Sequence, residues 1–294
     1  MGYLYIGAIL LMRMMQQYCN KPICAMFPRS GRAQSRYLIF SMGLSAVLGL
    51  LMLLVTGAFS GFDWVTVVLA LVAGLSTAGN KLWGAMAIKE GSIVVNSIFS
   101  TASLILPCLA GVLFFDEPMS VWQWLGTLVF LVAAYLMTVS GGKGNTAKPF
   151  TWKVLLYLVL SFFTNGLVMV SQKTLTYVNP DANITLFTML MFAIPVLLFS
   201  LMIAFGKREA EPEKLAPGIY LPAVFISVAF FVVNYCVTAA TKHIPTALLF
   251  VVSNGGSILA ALLVSLIFFK DRYNWRLVVG LILGVISLLM INFL

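Results

Sequence analysis

The chain consists of long apolar runs separated by short polar breaks, and this segmentation limits what it can fold into. A helix rises about 1.5 Å per residue, so a run of about 20 apolar residues crosses the roughly 30 Å hydrocarbon core of a bilayer. Hydrophobic residues make up 61% of the chain and charged residues 9%, whereas about a quarter of the residues of a soluble domain are charged. The sequence therefore predicts an all-α, polytopic membrane protein.

Ten such runs can be read along the chain, and each predicts a transmembrane helix. Turn-forming and charged residues, such as those of 116–118 and 179–181, separate the runs because lipid would reject them. The predicted helices are Gly2–Met26, Tyr37–Ala58, Trp64–Ile88, Ser92–Phe115, Val121–Ser140, Trp152–Tyr177, Ile184–Phe205, Ile219–Thr241, Thr246–Phe269 and Trp275–Leu294.

The two halves of the chain resemble each other when they are offset by 154 residues. In that register Asn80 aligns with Asn234, and the polar breaks coincide without a gap. The glycine-rich linker 141–145 divides the chain, which predicts two five-helix repeats at 1–145 and 146–294. Because five is an odd number, the second repeat is inverted relative to the first. Many secondary transporters have such inverted repeats, with the substrate site near the midplane between them.

One motif occurs in both halves: an apolar helix end, a charged break, and then Trp and Gly in the next helix. The first copy is 113–118 with Trp122 and Gly126, and Pro107 lies inside the helix that precedes its break; the second copy is 268–271 with Trp275 and Gly280. This motif, in a five-plus-five arrangement, resembles the EamA type of the drug/metabolite transporter superfamily. The resemblance implies a transporter of small molecules with both termini in the cytoplasm.

Two basic residues, Arg13 and Lys81, lie inside predicted spans, while all nine acidic residues fall in loops or at helix ends. A charge at the centre of a span costs about 2.5–3.5 kcal/mol on insertion scales, so it usually faces a cavity or a partner. Lys81, with Asn80 and Trp83 beside it, is the strongest candidate for a substrate contact. The alternative is that Lys81 extends along the helix to the membrane surface. For Arg13, which lies in an unusually polar first helix, an inward and an interfacial position remain equal alternatives.

Uncharged polar residues in other spans are further candidates. Asn165 and Gln172 are seven residues apart and share one helix face. Hydrogen bonding between helices, or close packing through small residues, is the alternative role for this group. Lys173 and His243 are expected at the membrane interface. The predicted substrate-binding residues are Arg13, Gln17, Asn80, Lys81, Trp83, Asn96, Asn165, Gln172, Asn234, Tyr235 and Asn254.

These features predict a secondary transporter of a small organic metabolite rather than an enzyme. Catalysis inside the membrane would need a nucleophile with a base, or metal ligands, and the sequence offers one histidine and four cysteines without a metal-binding spacing. Buried basic residues favour an anionic or zwitterionic substrate, carried by alternating access as an exchanger or facilitator. A GxxxxGK[ST] nucleotide-binding loop is absent from the sequence. The alternatives are an exporter of cationic drugs and a membrane scaffold that transports nothing.

The net charge of +9 would suggest nucleic acid as a partner of a soluble protein, but here the basic residues lie in short loops. We expect a small-molecule substrate and the lipid bilayer as partners, no nucleic acid and no cofactor, in the plasma (inner) membrane; a homodimer is left open. Of the 18 Lys and Arg residues, fourteen lie in loops after odd-numbered helices and two on the opposite side. The positive-inside rule places the odd-numbered loops in the cytoplasm, the reverse of the orientation that the family resemblance implies.

Overall fold

The structure is a computed structural model that describes residues 2–26, 30–57, 63–90, 93–141, 151–206, 213–269 and 275–293. Helices make up all of the regular secondary structure within these ranges. The helices are α1 (Gly2–Met26), α2 (Gly31–Thr56), α3 (Trp64–Glu90), α4 (Ile93–Ala102), α5 (Ile105–Phe114), α6 (Val121–Gly141), α7 (Trp152–Val178), α8 (Ile184–Phe205), a 3₁₀ turn (Pro217–Ile219), α9 (Tyr220–Ala240), α10 (Thr246–Phe269) and α11 (Trp275–Phe293).

Five of the described helices are long and apolar enough to cross a membrane, and they comprise α2, α3, α7, α8 and α9. Large apolar side chains such as Leu51, Val55 and Phe205 are exposed on the outside of the bundle. Exposure of these side chains to water would be unfavourable, whereas contact with lipid tails is not. The predicted all-helical membrane fold is therefore confirmed.

The predicted helix bounds agree with the structure within two residues at most ends, and the second helix differs most. α2 begins at Gly31 rather than Tyr37 because the Ser30 hydroxyl accepts a hydrogen bond from the backbone N–H of Ala33 (3.2 Å). This side-chain cap satisfies one of the free N–H groups at the helix start. The helix therefore extends through basic residues, including Arg32, that the sequence reading assigned to the loop.

The predicted fourth helix is broken into α4 and α5. Pro107 has no N–H to donate to the carbonyl of Ser103, and its ring clashes with that carbonyl in a regular helix. The chain makes tighter bonds at this point, from the N–H of Leu104 to Thr101 and from the N–H of Leu106 to Ser103.

The two halves of the chain are intercalated rather than side by side. α1 packs against α9 and α10, α2 against α8 and α9, α3 against α7 and α8, and α6 against α11. Glycines allow some of these approaches: a Cβ built on Gly74 of α3 would lie 2.7 Å from the Cβ of Ile194 in α8. Contacts between the halves therefore hold the bundle together.

The two ends of the bundle differ in charge. One end, here called the acidic end, carries Asp63, Asp116, Glu117 and Asp181. Hydrogen bonds link its loops, from the Asn179 amide to Asp63 (2.9 Å) and from the Tyr177 hydroxyl to Asp116 (3.1 Å). The opposite, basic end includes Arg32, whose guanidinium donates to the carbonyl of Ile203 (2.6 Å). The described residues thus preserve the charge asymmetry read from the sequence.

Candidate functional site

Lys81 lies deep in α3, about two and a half turns or roughly 14 Å from the last residue of that helix. Its Nζ lies 5.0 Å from the centroid of the Phe230 ring on α9, a cation–π contact. Among the described residues it has no carboxylate partner. The contact joins one helix from each half of the chain. Lys81 is therefore a half-buried cation held by an aromatic face and without a neutralising charge.

Arg13 lies near the middle of α1, and its positive charge acts on Lys81. One guanidinium nitrogen, Nη1, donates to Oε1 of Gln16 (3.1 Å). The Nε of Arg13 and the Nε2 of Gln16 are both buried and have no hydrogen-bond partner among the residues that the structure describes. Buried donors of this kind normally have partners, so this part of α1 offers unused hydrogen-bonding capacity. The sequence left an inward and an interfacial position of the Arg13 side chain as alternatives, and in the structure this side chain faces inward.

A second group of polar atoms surrounds Gly84, one turn along α3 from Lys81. A Cβ on Gly84 would lie 3.6 Å from Oγ of Ser161 and 3.8 Å from Oδ1 of Asn96. Both oxygens are buried without a hydrogen-bond partner. Asn80 donates to the carbonyl of Ser161 (3.2 Å), which fixes α3 against α7 beside this group.

The remaining candidates mostly bond to neighbouring helices. The Gln172 amide donates to Asn234 (3.1 Å), and the Asn165 amide donates to Ser103 (2.6 Å) and to the carbonyl of Ser100 (3.0 Å). Asn165 therefore satisfies polar groups at the break between α4 and α5. The other contacts are those of Gln17 with Ser257 (2.9 Å), Asn254 with the sulfur of Met169 (4.0 Å), Trp83 stacked on Tyr157 and Tyr235 stacked on Phe231.

The predicted residues thus divide into two kinds. Arg13, Lys81 and Asn96 retain charges or polar atoms without partners, and Gln16 joins them although the sequence reading did not select it. The sequence did carry a signal for Gln16, because this residue lies one helical turn after Arg13. Asn80, Asn165, Gln172 and Asn234 instead use amide groups to bridge helices, the alternative role weighed for this class of residue.

Lys173 was expected at the membrane interface, and the structure buries its side chain among protein groups at the acidic end. The residue is 7% exposed, and its ammonium pairs with Glu117 (2.5 Å) and donates to the carbonyl of Thr241 (3.2 Å). The other oxygen of Glu117 accepts from the backbone N–H of Thr246 (2.8 Å), the first residue of α10. We call this contact set the Glu117 junction. It joins the loop after α5 to two helices of the other half, and the pairing explains why Lys173 can be buried.

The Glu117 junction borders a cavity of about 510 Å³ that also contacts Cys108, Gln123 and Pro245. Burial alone would raise the pKa of Glu117, but hydrogen bonds from Lys173 and Thr246 outweigh it and place the pKa below its ordinary value. None of the predicted substrate-binding residues lines this cavity. The candidate substrate site is therefore the region of Arg13 and Lys81 rather than this cavity. Unpaired charges and free hydrogen-bond donors indicate which ligand would bind, whereas the volume of a cavity does not.

The described residues contain no group of three His, Cys, Asp or Glu side chains that could hold a metal ion. Cys19, Cys108 and Cys236 are buried free thiols. His243, which was expected at the membrane interface, stacks on Tyr5 with ring centroids 6.5 Å apart.

Comparison with known proteins gives one family match. Residues 151–293 match the EamA-like transporter family, in line with the resemblance predicted from the sequence. No curated protein matches the chain. One solved crystal structure shares the fold with a TM-score of 0.78, at 13% sequence identity, over 97% of this chain and 95% of its own. At this identity the likeness establishes the fold alone.

Proposed function

We propose, from the membership of its residues 151–293 in the EamA-like transporter family, that this chain is a secondary transporter of an anionic or zwitterionic metabolite. That family consists of membrane transporters of small molecules rather than enzymes. The observation that carries the charge preference is Lys81, a half-buried ammonium without a carboxylate partner among the described residues. A plasma-membrane location is part of the proposal.

Charge complementarity is the physical reason for this substrate class. An unpaired cation in a low-dielectric surrounding attracts an anion strongly and repels a cation. The Arg13 charge adds to that of Lys81. Within the described ranges, the one carboxylate paired with a buried cation is Glu117, which is occupied by Lys173 and Thr246. A cationic drug would therefore meet two positive charges and no free acid.

Alternating access between two inverted repeats is the second part of the proposal. If the two halves are equivalent, α1 corresponds to α7, α2 to α8, α3 to α9, the α4–α5 pair to α10, and α6 to α11. A contact between α1 and α9 should then have a counterpart between α7 and α3, and a contact between α2 and α9 should have one between α8 and α3. All four contacts occur. This correspondence supports ten spans in two repeats, with Lys81 and Arg13 near mid-depth.

Exchange or facilitated diffusion is the proposed mode of coupling. A proton-coupled carrier commonly uses an intramembrane carboxyl group that takes up and releases a proton. The described spans contain no acidic residue near Lys81 or Arg13, and Glu117 is held ionised by its partners. Transport driven by the substrate gradient, or by a counter-transported anion, needs no such group.

Uptake by purified protein in liposomes tests the proposal. Lys81→Ala is expected to abolish uptake of an anionic or zwitterionic substrate while the protein remains folded, because it removes the attracting charge. Lys153→Ala, which alters an exposed lysine at the start of α7, is the matched control and should transport normally. Saturable transport of quaternary ammonium compounds that carboxylates do not inhibit would contradict the proposed substrate class.

A further inference from the structure

We infer that the substrate carries two negative charges, as a dicarboxylate or a phosphate monoester does, and that Arg13, Gln16 and Lys81 bind it together. This inference rests on the proposed transport function and narrows its substrate class. It goes beyond the Lys81 argument because it depends on the second cation and on the unused donors of α1.

The first step of the argument is the charge balance. Lys81 lies over the Phe230 ring of α9, and α1, the helix of Arg13, packs against α9 with Met15 and Phe230 beside the same apolar cluster. The two positive charges repel each other, and no acidic residue in the described ranges pairs with either. Two like charges in a poorly solvated site are costly until both are neutralised. A monoanion neutralises one of them and leaves the other, whereas a dianion neutralises both.

The second step is the set of hydrogen-bond donors. The Nε of Arg13 is buried and unpartnered, and so is the Nε2 of Gln16, whose side chain is 4% exposed. Gln16 accepts from Arg13 through Oε1, which leaves its amide nitrogen to donate elsewhere. Lys81 supplies a third donor group from α3, where its ammonium lies over the Phe230 ring of α9. The Arg13 Nε, the Gln16 Nε2 and the Lys81 ammonium have no acceptor within the described ranges, and together they match the several acceptor oxygens of a dicarboxylate or phosphate.

The third step excludes a zwitterion as the preferred ligand. The ammonium group of an amino acid needs a carboxylate or several carbonyl acceptors, and no carboxylate lies near this site among the described residues. Its positive charge would also add to those of Arg13 and Lys81. A zwitterion therefore gains one ion pair and meets one repulsion, whereas a dianion gains two ion pairs.

Succinate and succinamate form the decisive ligand pair, because they have almost the same size and shape but carry two charges and one charge at neutral pH. Binding is measured on the purified full chain from the ligand dependence of its melting temperature, since a ligand of the folded state raises it. We expect succinate to bind at least about tenfold more tightly than succinamate. Glycerol phosphate, run in parallel, shows whether carboxylate or phosphate is the better dianion.

Two variants test whether the named cations cause the preference. Lys81→Gln and Arg13→Gln each remove one charge, and each should reduce the ratio of succinate to succinamate affinity to within about threefold. A residue with a purely structural role would weaken both ligands alike and leave the ratio unchanged. If either variant does not fold, the other variant and the ligand pair on the unaltered chain still decide.

Equal binding of succinate and succinamate by the unaltered chain would overturn the inference, and so would binding of neither dianion. Retention of the full ratio in both variants would also overturn it. If zwitterions or monoanions are transported while dianions are not, the dianion inference fails and the proposed function stands. If liposomes take up only cations, the proposed function itself fails.

Discussion

Lys81 and Lys173 are both lysines in long helices, yet their surroundings differ. Lys173 has a carboxylate at 2.5 Å, whereas Lys81 has the ring of Phe230. A buried charge with a partner is accounted for by the fold alone, and removal of the partner leaves it uncompensated. A buried charge without a partner calls for a ligand. This contrast is the reason for proposing a structural role for Lys173 and a binding role for Lys81.

The first prediction at the residue scale concerns Glu117. Glu117→Gln removes the charge that compensates Lys173, so we expect stability to fall by about 2 kcal/mol. The apparent melting temperature of the purified protein measures the effect. Asp116→Asn is the matched control, because Asp116 is exposed and the change should alter stability by less than about 0.5 kcal/mol. Equal shifts in both variants would contradict a special role for the Glu117 junction.

The same residue gives a pH dependence. The pKa of Glu117 is lower in the folded protein than its ordinary value. The contribution of its charge to the free energy of unfolding is therefore fully present above the unfolded pKa of about 4.3. The contribution is lost as the pH falls through the lower, folded value. Between neutral pH and about pH 5 the difference in stability between the unaltered chain and Glu117→Gln should therefore stay constant, and it should shrink only in stronger acid.

At the scale of single helices, the sequence predicted existence and position well, because lipid demands continuous apolar runs and rejects charges between them. α8 and α10 begin and end where they were predicted. The break between α4 and α5 was missed although Pro107 was visible, because a proline in a membrane helix produces a break only where neighbours satisfy the freed groups. That neighbour is Asn165, and its partners cannot be read from local sequence.

The candidate site was predicted less completely for a related reason. Unusual charges inside apolar runs are visible in the sequence, so Arg13 and Lys81 could be selected as candidates from the sequence alone. Whether an amide lines a cavity or bridges two helices depends on the facing helix, as the bond from Gln172 to Asn234 illustrates. The Glu117 junction escaped prediction because Glu117 and Lys173 are distant along the chain.

The prediction at the helix scale concerns Gly74, where α3 of the first half meets α8 of the second. An added methyl group would lie 2.7 Å from the Cβ of Ile194, a branched and stiff side chain. Gly74→Ala should therefore lower stability by about 1–3 kcal/mol, even though alanine favours helices over glycine by about 1 kcal/mol.

Gly7→Ala provides the control for this substitution, because a Cβ on Gly7 meets no atom within 4 Å. It should leave the melting temperature unchanged or raise it slightly. A destabilisation by Gly7→Ala equal to that by Gly74→Ala would show that helix contact at Gly74 is not the cause.

At the scale of the whole molecule, the charge asymmetry of the two ends predicts its orientation. The rule that basic loops stay in the cytoplasm places the acidic end outside the cell. A cysteine at Asp181, which is exposed at the acidic end, should react with a membrane-impermeant maleimide in intact cells. A cysteine at Lys214, exposed at the basic end, should react only after permeabilisation. The unsubstituted chain gives the background, and the reverse pattern would support the orientation implied by the family.

The Glu117 junction also bears on how far ions could leak through the proposed carrier. Its ion pair and its bond to the N–H of Thr246 share one side chain, so opening this end separates the loop after α5 from α7 and α10 in a single event. Contacts that break together favour two discrete states over a continuum of partly open ones. Under the proposed alternating access, a carrier built this way would keep the acidic end either sealed or open, which would limit the uncoupled passage of ions between substrate cycles.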